Sequence, residues 1–359
     1  MITRKTLDYL IAALVRSPSA DNSQPLRFVW DGACLTIQYD TERVAGATFP
    51  PSAPASQLAA GAAIESLAQA ALAIGVKVLP EEVLEDSLRA GIYFRAQLLS
   101  SDAGSIEESG NDLPVFRRHT NRFAYKSAEL PGDLGDWICD AHQGDARAEY
   151  ISDARAVTAV SALIKAASRV RFQTREVHEW LAKSLRFPGK QDPKVDGLDL
   201  ATLDLPPGGA LFMRFIKDWR RMEILNRFGA FKLLAAVEAI PVSKAPALVA
   251  VVGGKDAKSV IDAGRLLNRI WIRLNEEAIA VHPYYVVSDQ LQRQSEGTVP
   301  VSLTDDVARL SRDCQSQLGL GANETLHMLL RIGYPRREAP RSGRLPASKL
   351  FKDLSENQV

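Results

Sequence analysis

Read by its apolar and polar positions, the chain opens with MITRKTLDYLIAALVRS (1–17), a short apolar stretch on a helical period that predicts a first helix. LRFVWDGACLTIQYD (26–40) then places two apolar, β-favouring runs around Asp31-Gly32, a strong hairpin signal, so a sheet begins early. A Pro/Ser/Ala-rich loop (49–56) precedes a long amphipathic stretch, 57–76, with Leu58, Gly61, Ile64, Leu67, Ala71 and Ile74 on one helical period. The same period returns over 259–281 through Val260, Ala263, Leu267, Ile270, Trp271 and Leu274. ALVAVVGG (247–254) and LHMLLRIGYP (326–335) are compact apolar runs ended by turn residues, and predict strands. Between these elements, 172–235 carries Trp180, Phe187, a Pro/Gly/Asp-rich loop (188–209) and FMRFIKDWRRMEILNRF, the pattern of an inserted helix, loop and helix. The polar, proline-bearing tail beyond 335 is expected to run over the surface. Strands alternating with helices mean α+β or α/β.

The two helical stretches align without a gap. Setting AAGAAIESLAQAALAIGVKV (59–78) on DAGRLLNRIWIRLNEEAIAV (262–281) puts Gly61 on Gly264, where a small residue lets a helix approach a backbone or cofactor closely. From the helices alone, a chance Ala-Gly pair explains this as well as an internal repeat does.

A chain of 359 residues exceeds the usual single core, which leaves two domains or one fused double domain. Apolar residues at 46% and charged residues at 24% are the balance of a soluble globular protein. Lys plus Arg is 44 against 43 acidic residues, so no global field favours nucleic acid or an anionic membrane, and any anion must be bound locally. Cys34, Cys139 and Cys314 are odd in number and outside any CxxC spacing, which argues against a metal site or a disulfide framework and fits a reducing cytoplasm. The N-terminus lacks a small-residue cleavage site. The most apolar window, 233–254, is interrupted by Glu238, Pro241, Lys244 and Pro246 and cannot span a bilayer as one helix. No Ser/His/Asp order, HExxH, P-loop or GxGxxG is present, so those classes of chemistry drop out.

Three strings carry candidate chemistry. SPSADNSQPLRF (17–28) brackets short polar side chains between Pro18 and Pro25, which suits hydrogen bonding to a heteroaromatic edge; on chemistry alone a helix-terminating polar loop is the better reading. FRRHTNRFAY (116–125) gathers arginines, a histidine and a hydroxyl into a local anion site, or equally a basic surface loop. PRSGRLP (340–346) holds Arg341 and Arg344 in a Gly/Pro turn, the form also of a solvated basic tail.

Together the strings resemble the nitroreductase superfamily, whose members carry an Arg-x-Ser/Thr-x-Lys/Arg element, a Ser-Pro-Ser-x-x-Asn-x-Gln-Pro element and a late basic pair followed by Leu-Pro. The resemblance implies one FMN at a dimer interface. It places Arg118 and Thr120 on the phosphate with help from His119, Arg122 beside the pyrimidine edge, and Arg341 with Arg344 completing the clamp. Pro18, Ser19 and Asn22 would reach in from the opposite half. Here the Pro-Ser-x-x-Asn loop precedes the arginine element, the reverse of the usual order, as expected if two subunits are fused in one chain. The implied fold is α+β, nitroreductase-like helices on an antiparallel-rich sheet, in two tandem halves. A degenerate half, 1–111, would precede a half, 112–359, that carries a lid-like insertion, 172–235.

One departure stands out. After the second central helix the family usually has Pro-x-Glu-Gly facing the flavin, whereas this chain has HPYYVVSD, with Pro283 matched and Tyr284, Tyr285 and Val286 following. The implied activity is hydride transfer at the flavin between NADH or NADPH and a small organic acceptor: a nitro compound, a quinone or a biosynthetic intermediate. No side chain is assigned as catalytic. Flavin binding or sequestration without turnover is the alternative. The expected partner is a small-molecule substrate, without nucleic acid or membrane, and a monomer is expected to act as its own pseudo-dimer. Trp180 and Phe187 are the candidate lid aromatics, and removing the tip, 188–209, is expected to leave FMN bound because no assigned ligand lies there.

Overall fold

The computed structural model describes residues 2–44, 46, 49–100, 113–187 and 195–355. The Asp31-Gly32 hairpin forms as its sequence predicts: β1 (Leu26–Trp30) pairs antiparallel with β2 (Cys34–Tyr39), Leu26 opposite Tyr39. The Asp31 carboxylate accepts from the backbone N–H of Ala33 and Cys34 at 3.0 and 2.7 Å, and Gly32 takes φ 98°, open to a residue without Cβ. With β3 (Val76–Pro80), β4 (Ile92–Ser100) and β12 (Phe351–Asp353), these strands make a sheet of order β12-β1-β2-β4-β3. Only the β1–β12 pairing is parallel. The C-terminal tail therefore does more than cross the surface: its end returns to the first sheet and covers the β1 edge.

A second, antiparallel sheet is built from β5 (His142–Gln143), β6 (Ala146–Ile151), β9 (Ala247–Gly254), β10 (Ala280–Tyr284) and β11 (Glu324–Gly333), in the order β10-β11-β9-β6-β5. A short parallel pair, β7 (Leu185–Arg186) with β8 (Leu198–Asp199), lies in the insertion. β9 is an unbroken apolar run because both of its faces are covered. Val249 and Val251 join one core, whereas Leu248, Ala250 and Val252 join another on the opposite face.

The principal helices are α1 (Arg4–Val15), α2 (Pro54–Ala73), the short α3 (Pro114–Arg117), α4 (Ala154–Gln173), α5 (Arg175–Ser184), α6 (Gly209–Ile216), α7 (Trp219–Arg227), α8 (Ala230–Ser243), α9 (Ala257–Glu276), α10 (Val286–Ser295) and α11 (Thr304–Gln317). The fold class is α+β. The two stretches aligned on Gly61 and Gly264 are α2 and α9, and they cross at those glycines: a Cβ on Gly61 would lie 2.9 Å from the Gly264 Cα, and one on Gly264 would lie 2.9 Å from the Leu58 Cα. α2 is the core helix that the 57–76 stretch predicts, and its burial goes beyond one amphipathic face, extending to nearly all sides from Ala55 to Leu67. It lies between the first sheet and α9, so no side of it faces water over that span.

Polar groups fix the register of this crossing. The Asn268 amide donates to the Ala62 carbonyl at 2.7 Å and to Ser66 Oγ at 2.9 Å, and the Arg269 guanidinium forks onto both oxygens of buried Glu65 at 2.9 and 3.0 Å. The core of the first sheet also takes in Ala257, Ile261 and Ile272 of α9. The insertion has more helices than predicted. After the 188–209 loop, of which 188–194 lies outside the described residues, the chain forms three helices. Asp218 caps α7 by accepting from the Arg220 N–H at 2.8 Å, and Gly229, at φ 86°, turns the chain into α8. No helix among the described residues is long and apolar enough to cross a membrane.

Candidate functional site

The fold brings the three strings together beside the α2–α9 crossing. α1 ends at Arg16, and the 17–24 loop is pinned to α2 where Ser17 Oγ meets Ser66 Oγ at 3.1 Å. Ser19 Oγ accepts from the Gln24 N–H at 2.9 Å, closing a tight polar turn. Inside it Asp21, Asn22 and Gln24 all adopt left-handed backbone, at φ 49°, 54° and 49°. Three such residues in one loop are held there by partners. Gln24 Nε2 donates to the Val195 carbonyl at 2.9 Å, Gly197 N–H to the Asn22 carbonyl at 3.0 Å, and Asn22 Nδ2 to the Gly343 carbonyl at 3.1 Å.

The basic string follows α3. The Arg118 guanidinium, 3% exposed, donates to the Arg16 carbonyl at 2.8 Å and lies over the Trp271 ring at 4.6 Å. Trp271 Nε1 in turn donates to the His119 carbonyl at 3.0 Å, and the His119 N–H to Asn275 Oδ1 at 2.8 Å, so α9 carries this segment directly. Fully buried Asn121 reinforces it, through its N–H to Val281 O and its amide to Arg337 O at 3.0 Å. Arg344 donates to Asn22 Oδ1 at 2.7 Å, which joins the late basic string to the early loop. Arg341 donates to Phe116 O at 3.4 Å.

Four guanidiniums, Arg16, Arg118, Arg341 and Arg344, thus share one region, and none of them forms an ion pair with a carboxylate among the described residues. Desolvation first, and then Arg344, Arg16 and Arg341, hold Arg118 well below the usual guanidinium range. Burial and then Arg16 push Arg344 down to about 10, and its Nε is a buried donor with no partner. Arginine keeps its proton in such surroundings, so buried Arg118 and half-buried Arg16 and Arg344 carry unopposed positive charge in a poorly solvated place, with exposed Arg341 beside them. Arg122 differs from these four. It faces Asp21, whose carboxyl is pushed up by burial against the opposing pull of Arg122 and Arg171, and it donates to Thr202 Oγ1 at 3.3 Å.

The remaining candidates line up unevenly. Thr120 is half-buried between Arg118 and Arg122 in the chain. His119 has both ring nitrogens engaged away from the arginines, Nδ1 with Arg117 O at 3.0 Å and Nε2 with Glu338 at 3.5 Å. Pro283 and Tyr284 end β10, where the Tyr284 ring lies tilted against that of His282 at 4.2 Å, and Tyr285 packs edge-on to Phe49 at 6.1 Å. Trp180 reaches this wall, its ring 4.1 Å from that of Phe49, whereas Phe187 turns toward α6, under Arg214 at 5.2 Å and Lys217 at 5.8 Å. Tyr285 also borders a cavity of about 470 Å³ between α10, α11 and the start of β11.

Sequence reasoning missed Arg16, Asp21, Gln24 and the 195–204 segment. Gln24 stands within the quoted Asn-x-Gln-Pro pattern and was open to detection; the others have no local signal. No assigned ligand lies in 188–209, yet Val195, Gly197 and Thr202 grip Asn22, Gln24 and Arg122 through the hydrogen bonds above, so residues 195–202 brace the loop that carries Asn22 and Gln24.

No family model matches the chain. An uncharacterized protein of Mycobacterium tuberculosis is 26% identical over 288 residues, covering 77% of this chain and 38% of that protein, so the chain spans about two fifths of that relative's length. Among solved structures, iodotyrosine deiodinase bound to FMN and 3-iodo-L-tyrosine is 14% identical with a TM-score of 0.37, covering 65% of this chain and 94% of that one. The FMN-dependent nitroreductase NfnB of Mycobacterium smegmatis in complex with NADPH is 15% identical with a TM-score of 0.35, covering 65% and 92%.

Proposed function

We propose that the chain is an FMN-binding oxidoreductase of the nitroreductase superfamily, in which one polypeptide supplies both halves of a site that ordinary members build from two subunits. The observation that carries this reading is the unopposed cluster of Arg16, Arg118, Arg341 and Arg344. Guanidiniums in a desolvated region favour an anion that accepts several charge-assisted hydrogen bonds, and a phosphate monoester is the best match to their forks. The unpartnered Arg344 Nε is a donor free for such an oxygen. The neighbouring polar loop and aromatic wall suit a flat heteroaromatic ring, so the residues fit FMN.

In this reading Arg118 and Arg344 hold the phosphate, with Arg16 and Arg341 adding field and Thr120 a hydroxyl. Arg122 meets the ring's pyrimidine edge with Asp21 behind it. Pro18, Ser19 and Asn22 line one face, and Pro283, Tyr284 and Tyr285 form the wall that stands in place of the usual Pro-x-Glu-Gly. Phe49 and Trp180 shield the site from water. Bound FMN supplies the hydride chemistry between NADH or NADPH and a small organic acceptor. The protein contributes position, charge and access. The division into halves, 1–111 and 112–359, with 172–235 inserted, belongs to the same proposal.

The test is a fluorescence titration of the apoprotein with FMN, followed by anaerobic addition of NADH or NADPH and observation of flavin bleaching. Arg118→Ala and Arg344→Ala each weaken FMN by roughly ten- to a hundredfold, the loss expected when one partner of a buried charged hydrogen bond is removed. Unchanged affinity in both variants would refute the phosphate assignment. Absence of bleaching by either nucleotide would remove the oxidoreductase activity and leave the cofactor site.

A further inference from the structure

The helices of the insertion carry apolar side chains on the outside. Leu211 and Phe215 on α6 are 72% and 48% exposed, Ile224 on α7 and Phe228 just after it 54% and 87%, and Leu233 and Val237 on α8 67% and 55%. Each pair is four residues apart, so each helix presents a stripe, and the three helices pack against one another in succession. An apolar surface repeated over consecutive helices is unusual on a protein meant to face only water. The same segment is strongly basic. Arg214, Lys217, Arg220, Arg221, Arg227 and Lys232 are all exposed, against three acids on the same stretch, Asp218, Glu223 and Glu238, the last taken up by Arg171, and none of the six cations pairs with a carboxylate among the described residues.

We propose that this face docks on an anionic lipid bilayer, with the apolar stripes seated at the acyl boundary and the arginines and lysines against the headgroups. Exposed Leu, Ile and Phe beside Lys and Arg on short amphipathic helices are what an interfacial surface requires. Charge and apolarity select this occupant over others. A second copy joined by a two-fold axis would set the cations of one face against the same cations of the other. Nucleic acid would use the charge and leave the apolar stripes in water. Insertion as a span is a different state, since no described helix is long and apolar enough to cross a membrane. The balanced charge of the whole chain does not describe this face, because the fold gathers cations here that the sum averages away.

The test is sedimentation of the full chain with vesicles of phosphatidylcholine alone, and with vesicles containing roughly one third phosphatidylglycerol. Binding is expected only to the anionic vesicles, and is weakened at about 0.5 M salt. Two double variants separate the contributions: Phe228→Ser with Leu233→Ser, and Arg220→Glu with Arg221→Glu. All four positions are exposed, so the fold is kept, as circular dichroism will show. Each cation near an anionic surface is worth roughly fivefold in binding, so the charge-reversed pair loses about tenfold or more, and the serine pair loses about tenfold or more because two large apolar side chains no longer enter the acyl boundary. FMN titration is unchanged in both, because neither pair touches the arginine cluster, and the result therefore stands apart from the reading of the cofactor site. The proposal is overturned if the native chain ignores anionic vesicles, binds neutral ones equally, or binds undiminished after either pair of substitutions. It is also overturned if sedimentation velocity shows self-association that the serine variants abolish, since the face is then a contact between copies.

Discussion

Replacing Gly61 with alanine adds one methyl group where α2 and α9 touch backbone to backbone. The new Cβ would meet the Ile261 carbonyl oxygen well inside contact distance and lie 2.9 Å from both the Arg265 nitrogen and the Gly264 Cα. No side chain can swing away, because every atom it meets is backbone. Restoring ordinary contact needs the helices to part by about 1 Å or more. That movement stretches the Asn268 bonds to Ala62 O and Ser66 Oγ, now 2.7 and 2.9 Å, inside a region closed to water. Overpacking and the weakened buried hydrogen bonds together cost roughly 3 to 5 kcal/mol, a large share of the stability of an ordinary domain. The assay is urea unfolding of Gly61→Ala beside Gly132→Ala, whose Cβ meets nothing within 4 Å. The Gly61 variant should unfold at a markedly lower urea concentration, while the Gly132 variant stays near the native midpoint. Because Ser17 and Arg118 are both anchored on this helix pair, FMN affinity should fall with it. A Gly61 variant with the native midpoint and native FMN affinity would show that the crossing tolerates separation and that the close approach is not what holds α2 against α9.

Saturation with FMN should give one flavin per chain by absorbance, since the SPSADN loop and the RHTNR element each occur once; two per chain would remove the argument for a single complementary pair. Deleting 188–209 should weaken FMN about tenfold or more by fluorescence titration, because Asn22 and Gln24 lose partners in Val195 and Gly197; native affinity would return the segment to a cover alone. Burial holds His327 at about 4, below its ordinary 6.5, so the unfolded chain binds the extra proton first, and stability present above about pH 6.5 is lost as pH falls toward 4. That difference corresponds to about 3 kcal/mol, and His327→Gln should flatten the fall in urea midpoint over this range; an unchanged slope would acquit His327.

Much of this protein was legible before any coordinate. The Asp31-Gly32 hairpin, the apolar runs of β9 and β11, and the two central helices follow from local patterns, because turn chemistry and periodicity are properties of neighbouring residues. The gapless alignment singled out Gly61 and Gly264 as places of close approach, but that the two glycines meet each other is seen only in the packed helices. Other features belong to the tertiary structure alone. β12 pairs with β1 across more than three hundred residues, and nothing in Phe351–Asp353 announces a strand. Arg16 joins Arg118 only because α1 ends where α9 presents Trp271, and Asp21 faces Arg122 only because partners from 195–197 and 343–344 hold its loop in left-handed backbone. Charge repulsion, desolvation and the gathering of exposed stripes on α6 to α8 depend on distances between residues far apart in the chain. A one-dimensional pattern fixes which residues can form an element, while only packing decides which charges are left without partners.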